Sequence, residues 1–212
     1  MAATAMFPLE TVLFPHTPLA LRVFEERYLR MLGECLESDD PSFGVVLIER
    51  GSEAGGGDTR FGTGTLARIV EVAATEHDIQ LLVVGGERIE VTGWEDAPYP
   101  TAQMHALPDL TWDEALAPLR DQAEAHVRRV LRRASLTSET RWDPNVEVAD
   151  DPVESSWQLA AIAPLGPIDQ LELLRASSLA GLLARLIDLT LEAEEILEAT
   201  SDGGDGEPGL TA

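Results

Sequence analysis

FGVVLIE (43–49), FGTGTLARIVEVAA (61–74), HDIQLLVVG (77–85), ERIEVTGW (87–94) and TAQMHAL (101–107) follow one another between Phe43 and Leu107. These five segments are rich in β-branched and aliphatic residues, and glycine, proline or polar clusters separate them, so each reads as a strand. A glycine-rich loop, 51–58, divides the first from the second and is expected to be mobile. Upstream, Pro8, Pro15 and Pro18 cut residues 6–24 into short apolar pieces. Proline cannot donate to a ladder, so such pieces suit strand ends and edges. Two more short strands are predicted, near Phe7 and from Leu19 to Phe24. Seven strands suffice to close a small barrel, which removes exposed edges.

One helix interrupts the strands. Tyr28, Met31, Leu32, Cys35 and Leu36 recur at helical spacing and the pattern fails before Pro41. After Leu110 the helical period takes over. Thr111 and Glu114 stand at capping-box spacing, and Leu116, Leu119, Ala123, Val127, Val130 and Leu131 share one face, with Pro118 an alternative first residue. A polar connector, 135–151, leads to Asp151-Pro152 as cap and first position of a second helix that stops before Pro164. Pro167 opens a third. Ser177 or Ser178 caps a fourth, whose buried stripe is Leu179, Leu182, Leu183, Leu186 and Ile187, and the acidic tail from Ser201 is expected to be unstructured. The expected fold class is α+β: a β-rich part over 1–110, a helical bundle over 111–200 and a tail over 201–212. The link Leu107-Pro108-Asp109-Leu110 is too short to act as a flexible tether, so the two parts are expected to pack together.

The 38 acidic and 15 basic side chains of the 212 residues give a formal charge of −23. Such a field repels phosphate backbones and anionic lipid heads, so neither nucleic acid nor a membrane is an expected partner. Every one of the basic residues is arginine. Without lysine there is no P-loop lysine, no Schiff base and no Ser-Lys dyad. A lone Cys35 cannot form an internal disulfide, and MAATAMFPLE lacks the basic and apolar regions of a secretory signal, so the expected compartment is the cytoplasm.

Catalytic signatures are absent from the sequence. There is no H-E-x-x-H, C-x-x-C or G-x-S-x-G, and His16, His77, His105 and His126 fall in separate segments without metal-ligand spacing. No metal, cofactor or catalytic residue is therefore expected. Gly62-Thr63-Gly64-Thr65-Leu66-Ala67 fits a loose G-x-G-x-x-A, but a dinucleotide site needs a helix next and ARIVEVAA is strand-like. Arg128, Arg129, Arg132 and Arg133 read as partners for surplus acids near a helix C-terminus rather than as a phosphate site. Cys35, on the apolar helix face, reads as an inert thiol.

Met6-Phe7-Pro8-Leu9, Val12-Leu13-Phe14-Pro15, Pro18-Leu19 and Val23-Phe24-Glu25-Glu26-Arg27-Tyr28, followed by Met31-Leu32, resemble the opening of the Lon protease N-terminal, substrate-binding domain family. Phe43-Gly44-Val45-Val46, the Gly64-Thr65 strand, Gly85-Gly86-Glu87-Arg88-Ile89, Asp169 to Leu174 and Leu183 to Leu186 extend the likeness over most of residues 6–198. Two features depart from it. Glu76-His77-Asp78-Ile79 stands where the family turns with D-G, and Arg88-Ile89 replaces R-F. The resemblance implies a PUA-like small β-barrel with one inserted helix, followed by the helical bundle. It further implies a non-catalytic bacterial module, without the ATPase and peptidase parts, that holds unfolded or extended polypeptide in a groove between barrel and bundle. An adaptor role in protein quality control, with a protease or chaperone as partner, follows from the same likeness. Phe24, Arg27, Tyr28 and Met31 are the candidate groove residues, against the alternative that Glu25 and Arg27 fix the helix while Tyr28 and Met31 are core. An enzyme built on a carboxylate pair and a PUA-like nucleic-acid binder are the other two readings.

Overall fold

The computed structural model describes residues 3–50, 59–74, 78–96, 98–137 and 142–202. The loop 51–58, the 76–77 turn residues and the end of the tail, for which expectations were formed above, lie outside the described residues. Six strands run in the order β1 (Thr4–Leu9), β2 (Pro18–Val23), β3 (Ser42–Arg50), β4 (Thr59–Ala74), β5 (Ile79–Glu95) and β6 (Thr101–Ala106), with helix α1 (Glu26–Cys35) between β2 and β3. They form one sheet in the order β2-β5-β4-β3-β1-β6, and β5 also pairs with β6.

The structure corrects two expectations. The two strands expected over 77–85 and 87–94 are replaced by a single 17-residue strand, β5, which runs without a break from Ile79 to Glu95. Gly85-Gly86 does not turn the chain: β4 pairs with β5 on both sides of it, Ala67 opposite Gly85 and Thr65 opposite Arg88, and a bulge takes up the bend. The expected closed barrel is replaced by a six-stranded sheet. The first half of β5 pairs with β2 and the second half turns away to pair with β6, so the sheet curls over while β2 stays at an end, with β5 as its one partner among the described residues.

The helical part contains α2 (Ala117–Thr137), α3 (Pro152–Ile162), α4 (Pro167–Leu174) and α5 (Leu179–Asp202). Asp113, not Thr111, starts it: its carboxylate accepts from the Ala115 N–H in a 3-10 turn, Glu114–Leu116, and α2 then begins one residue before Pro118. Asp151 caps α3 by accepting from the Val153 and Glu154 amides, and Ser178 accepts from Gly181 at the head of α5. Of the α2 stripe Ala123, Val127 and Val130 are buried while Leu116 and Leu119 are partly exposed, and the α5 stripe is buried throughout, with Leu182, Leu183 and Leu186 inaccessible to solvent. They join Leu131, Trp157 and Leu171 in the largest core, which also takes in Phe14 and Leu47 from the strand half. A second core lies between the sheet and α1 and contains Phe7, Tyr28, Met31, Leu32 and Phe43. The arginines of α2 pair with acids: Arg128 with Glu124, Arg129 with Glu194, and Arg133 with Glu198. Cys35 is half-buried, and burial pushes its thiol pKa up.

Tyr99 pins α1 from outside by donating its hydroxyl to Glu34 over 2.7 Å. That hydrogen bond, with burial, pushes the phenol up to about 12, and the same bond, helped by Arg30, holds the Glu34 carboxyl below its usual range. The two shifts set opposite limits. The carboxylate's contribution is present above its ordinary pKa and is lost as pH falls through the lowered one. The phenol's contribution is present below its ordinary pKa and is lost as pH rises through about 12. Tyr99→Phe is expected to be less stable than wild type at neutral pH and to converge with it at both extremes. Denaturant midpoints measured across that pH range check this.

Candidate functional site

The turn between β1 and β2 is fixed by hydrogen bonds at Leu13, Phe14, His16 and Thr17. Leu13 offers its carbonyl to the Thr65 hydroxyl at 2.6 Å, and Phe14 offers its own to the Thr17 hydroxyl at 2.7 Å. His16 donates its amide to the Gly85 carbonyl, Gly85 donates to Thr17, and Gln158 of α3 donates to the His16 carbonyl. To make these bonds together His16 adopts φ 58°, the left-handed region that histidine enters more readily than most residues. This Leu-Phe-Pro-His-Thr-Pro turn is therefore a stiff wall. Phe14 reaches from it into the helical core, with its ring centroid 6.0 Å from that of Trp157.

A cleft of about 280 Å³ opens between this wall and the helices. Residues 11–14 and 17–19 form one side; Leu131 and Ala134 of α2, Trp142, and the α3–α4 corner from Ala161 to Leu165 with Gln170 form the other. Not one of these side chains is ionisable, in a protein whose residues are 25% charged. The cleft offers apolar packing, backbone polar groups, two threonine hydroxyls and one amide. Among the described residues that line it, none carries an ionisable group that could transfer a proton. The shifted carboxyls lie elsewhere: Glu172 is held down by Arg185 between α4 and α5, and Glu194 by Arg129 between α2 and α5. Among the described residues no group of His, Cys, Asp or Glu could hold a metal ion, and no helix is long and apolar enough to cross a membrane.

The four residues singled out from sequence sit at the other end of β2. Phe24 is 59% exposed. Arg27 is half-buried, pairs with Glu25 at 3.1 Å and lies 4.4 Å from the Tyr28 ring centroid. Tyr28 and Met31 are buried in the core under α1, Tyr28 against Phe7. None of the four lines the cleft.

The profile of the ATP-dependent protease La (LON) substrate-binding domain matches residues 4–192. The chain belongs to the Lon substrate-binding domain family. Among solved structures it is similar to a Lon N-terminal domain protein from Xanthomonas campestris, with 24% identity, TM-score 0.62, and 89% of this chain and 98% of that one covered. It is also similar to the N-terminal domain of Mycobacterium avium complex Lon protease, with 14% identity, TM-score 0.64, and 90% and 99% covered. At these identities the likeness speaks for the fold. A search of curated proteins found no match.

In this Lon-family domain the cleft lining includes Val12 and Leu131, which the sequence marked only as a motif position and a helix-face position, and Thr11, Trp142, Ile162 and Leu165, which it did not mark. The Leu-Phe-Pro turn was visible as a motif. Its opposite wall was not, because the Ala-Pro-Leu-Gly break at 163–166 reads only as a helix boundary.

Proposed function

We propose that this domain is a non-catalytic recognition module that takes an apolar segment of unfolded or extended polypeptide into the cleft between the sheet and the helices. The match to a substrate-binding domain family over residues 4–192 carries this reading, and the absence of ionisable side chains among the described residues of the cleft supports it. An aliphatic side chain entering there leaves water without forcing any charge to be desolvated, at about 25 cal/mol per Å² of apolar surface buried. The pinned turn favours binding because little of the site has to be ordered. A flexible ligand loses much of that gain on ordering, so dissociation constants of about micromolar are expected. We place this role in the cytoplasm, as an adaptor that brings polypeptide to a protease or chaperone. The PUA-like parentage of the β half and the division into 1–110 and 111–200 belong to the same proposal. Phe24 and Arg27 are the members of the sequence-derived set that reach the surface, and they extend the binding face beyond the cleft.

Thr11 tests the reading, since it lines the cleft and is only partly buried. Thr11→Glu and Thr11→Arg are both expected to weaken binding of reduced, carboxamidomethylated lysozyme by about tenfold, because either charge would be desolvated by an apolar ligand. Fluorescence titration at about 0.5 M salt, where exposed charges are screened, measures it. Tighter binding by the Arg variant, or no change in either, contradicts the reading.

A further inference from the structure

We infer that the open edge of β2 accepts a strand of the bound polypeptide by backbone pairing, so that the ligand is a β-forming, neutral or basic segment running from the cleft towards Phe24. This rests on the cleft reading above and assigns the ligand its conformation.

Among the described residues β2 pairs with β5 alone, through six consecutive residues from Pro18 opposite Val84 to Val23 opposite Ile79, with no bulge. The phase of the ladder is set by Gly85, which donates to Thr17 at 3.0 Å and accepts from His16. In an antiparallel pair residues alternate between facing their partner strand and facing away. Leu19, Leu21 and Val23 therefore spend their backbone groups on β5, whereas the Ala20 and Arg22 amides and the Pro18, Ala20 and Arg22 carbonyls point outward. Exposed edges are usually blunted by bulges, lysines, inward-facing charges or cover. Here the defences are Pro18 at the first position, where its missing N–H leaves the rest of the edge usable, and the exposed Arg22 side chain, which is tied back to Asp78.

Two observations name the occupant. Pro18 and Leu19 line the cleft, so an anchor seated there continues directly onto β2. With a formal charge of −23, a second copy of this chain is repelled, while a neutral or basic polypeptide is not. Strand addition of this kind takes affinity from main-chain bonds and selectivity from the side-chain pocket.

Ala20→Pro removes one outward donor and no bond to β5; Ala20→Thr keeps it. With unfolded lysozyme at about 0.5 M salt as the probe, Ala20→Pro is expected to bind about tenfold more weakly and Ala20→Thr as wild type. The Ala20 and Arg22 amides of the wild-type complex should exchange with solvent at least tenfold more slowly than in the free protein. If wild type binds but both amides exchange unchanged and Ala20→Pro binds normally, strand addition is wrong and the cleft reading stands. If wild type does not bind, the cleft reading falls and this one with it. A dimer that Ala20→Pro dissociates would assign the edge to a second copy and overturn the inference. Should Ala20→Pro fail to fold, the amide exchange of wild type decides alone.

Discussion

Replacing Arg88 by methionine is expected to lower stability by about 3–5 kcal/mol, because three main-chain carbonyls lose their donor. Arg88 is 5% exposed although it carries a charge. It is tied to main-chain oxygens rather than to a carboxylate: Nη1 donates to the Leu174 and Ala176 carbonyls at 3.0 and 2.6 Å, and Nη2 donates to Pro108 at 2.5 Å. Its guanidinium carbon also lies 5.1 Å from the Trp157 ring centroid. One side chain of β5 thereby holds the α4–α5 corner and the link into α2 against the sheet. Burial lowers the Arg88 pKa, but three carbonyl acceptors and an aromatic face keep the cation satisfied. Methionine fills much of the space and satisfies none of the carbonyls, each of which costs about 1–3 kcal/mol when left dry. Arg88→Lys is expected to recover less than half of the loss, because one ammonium cannot span oxygens on two separate segments. For a chain of this length the methionine variant should melt about 10 °C lower, which calorimetry measures.

The second large effect is at Gly85. A Cβ built there would fall far inside the van der Waals contact distance of the Phe14 carbonyl oxygen and crowd the Leu13 side chain. The obstacle is backbone, and that backbone is fixed by the bonds from Thr65, Thr17 and Gly85 itself. Gly85→Ala therefore cannot be relieved by a rotamer change, and it is expected to destabilise by about 3 kcal/mol, the upper end for overpacking. Because the displaced segment is the cleft wall, polypeptide binding should weaken even where the variant remains folded. Gly86→Ala is the control. A Cβ there meets only the Leu66 carbonyl, at 3.3 Å, so a small shift accommodates it.

The same glycine shows why part of the fold escaped a reading of sequence. Gly85-Gly86 between two apolar runs is what a turn looks like, and seven strands were expected. Gly85 instead permits close approach of Phe14 to a strand that continues, which depends on a residue 71 positions away. The helices were legible because their information is local: Asp151-Pro152 specifies a cap and a first turn, and the Leu179–Ile187 stripe specifies a face. The spacing of Tyr28 and Met31 was equally visible, but they share their face with Leu32, and that face lies against the sheet. Periodicity marks a buried stripe without telling core from groove. The cleft joins residues 11–19 to residues 131–170, so its lack of charge emerges only once the chain is folded.

The most direct test of polypeptide recognition in the sheet–helix cleft is site-specific photo-crosslinking, with benzoylphenylalanine placed at Trp142 on the cleft wall or at Gln103 on β6, outside it. With unfolded lysozyme as the probe, a crosslinked product is expected from position 142, competed away by unlabelled probe, and none above background from position 103. Equal crosslinking from both positions, or crosslinking from 103 alone, would contradict binding in the cleft.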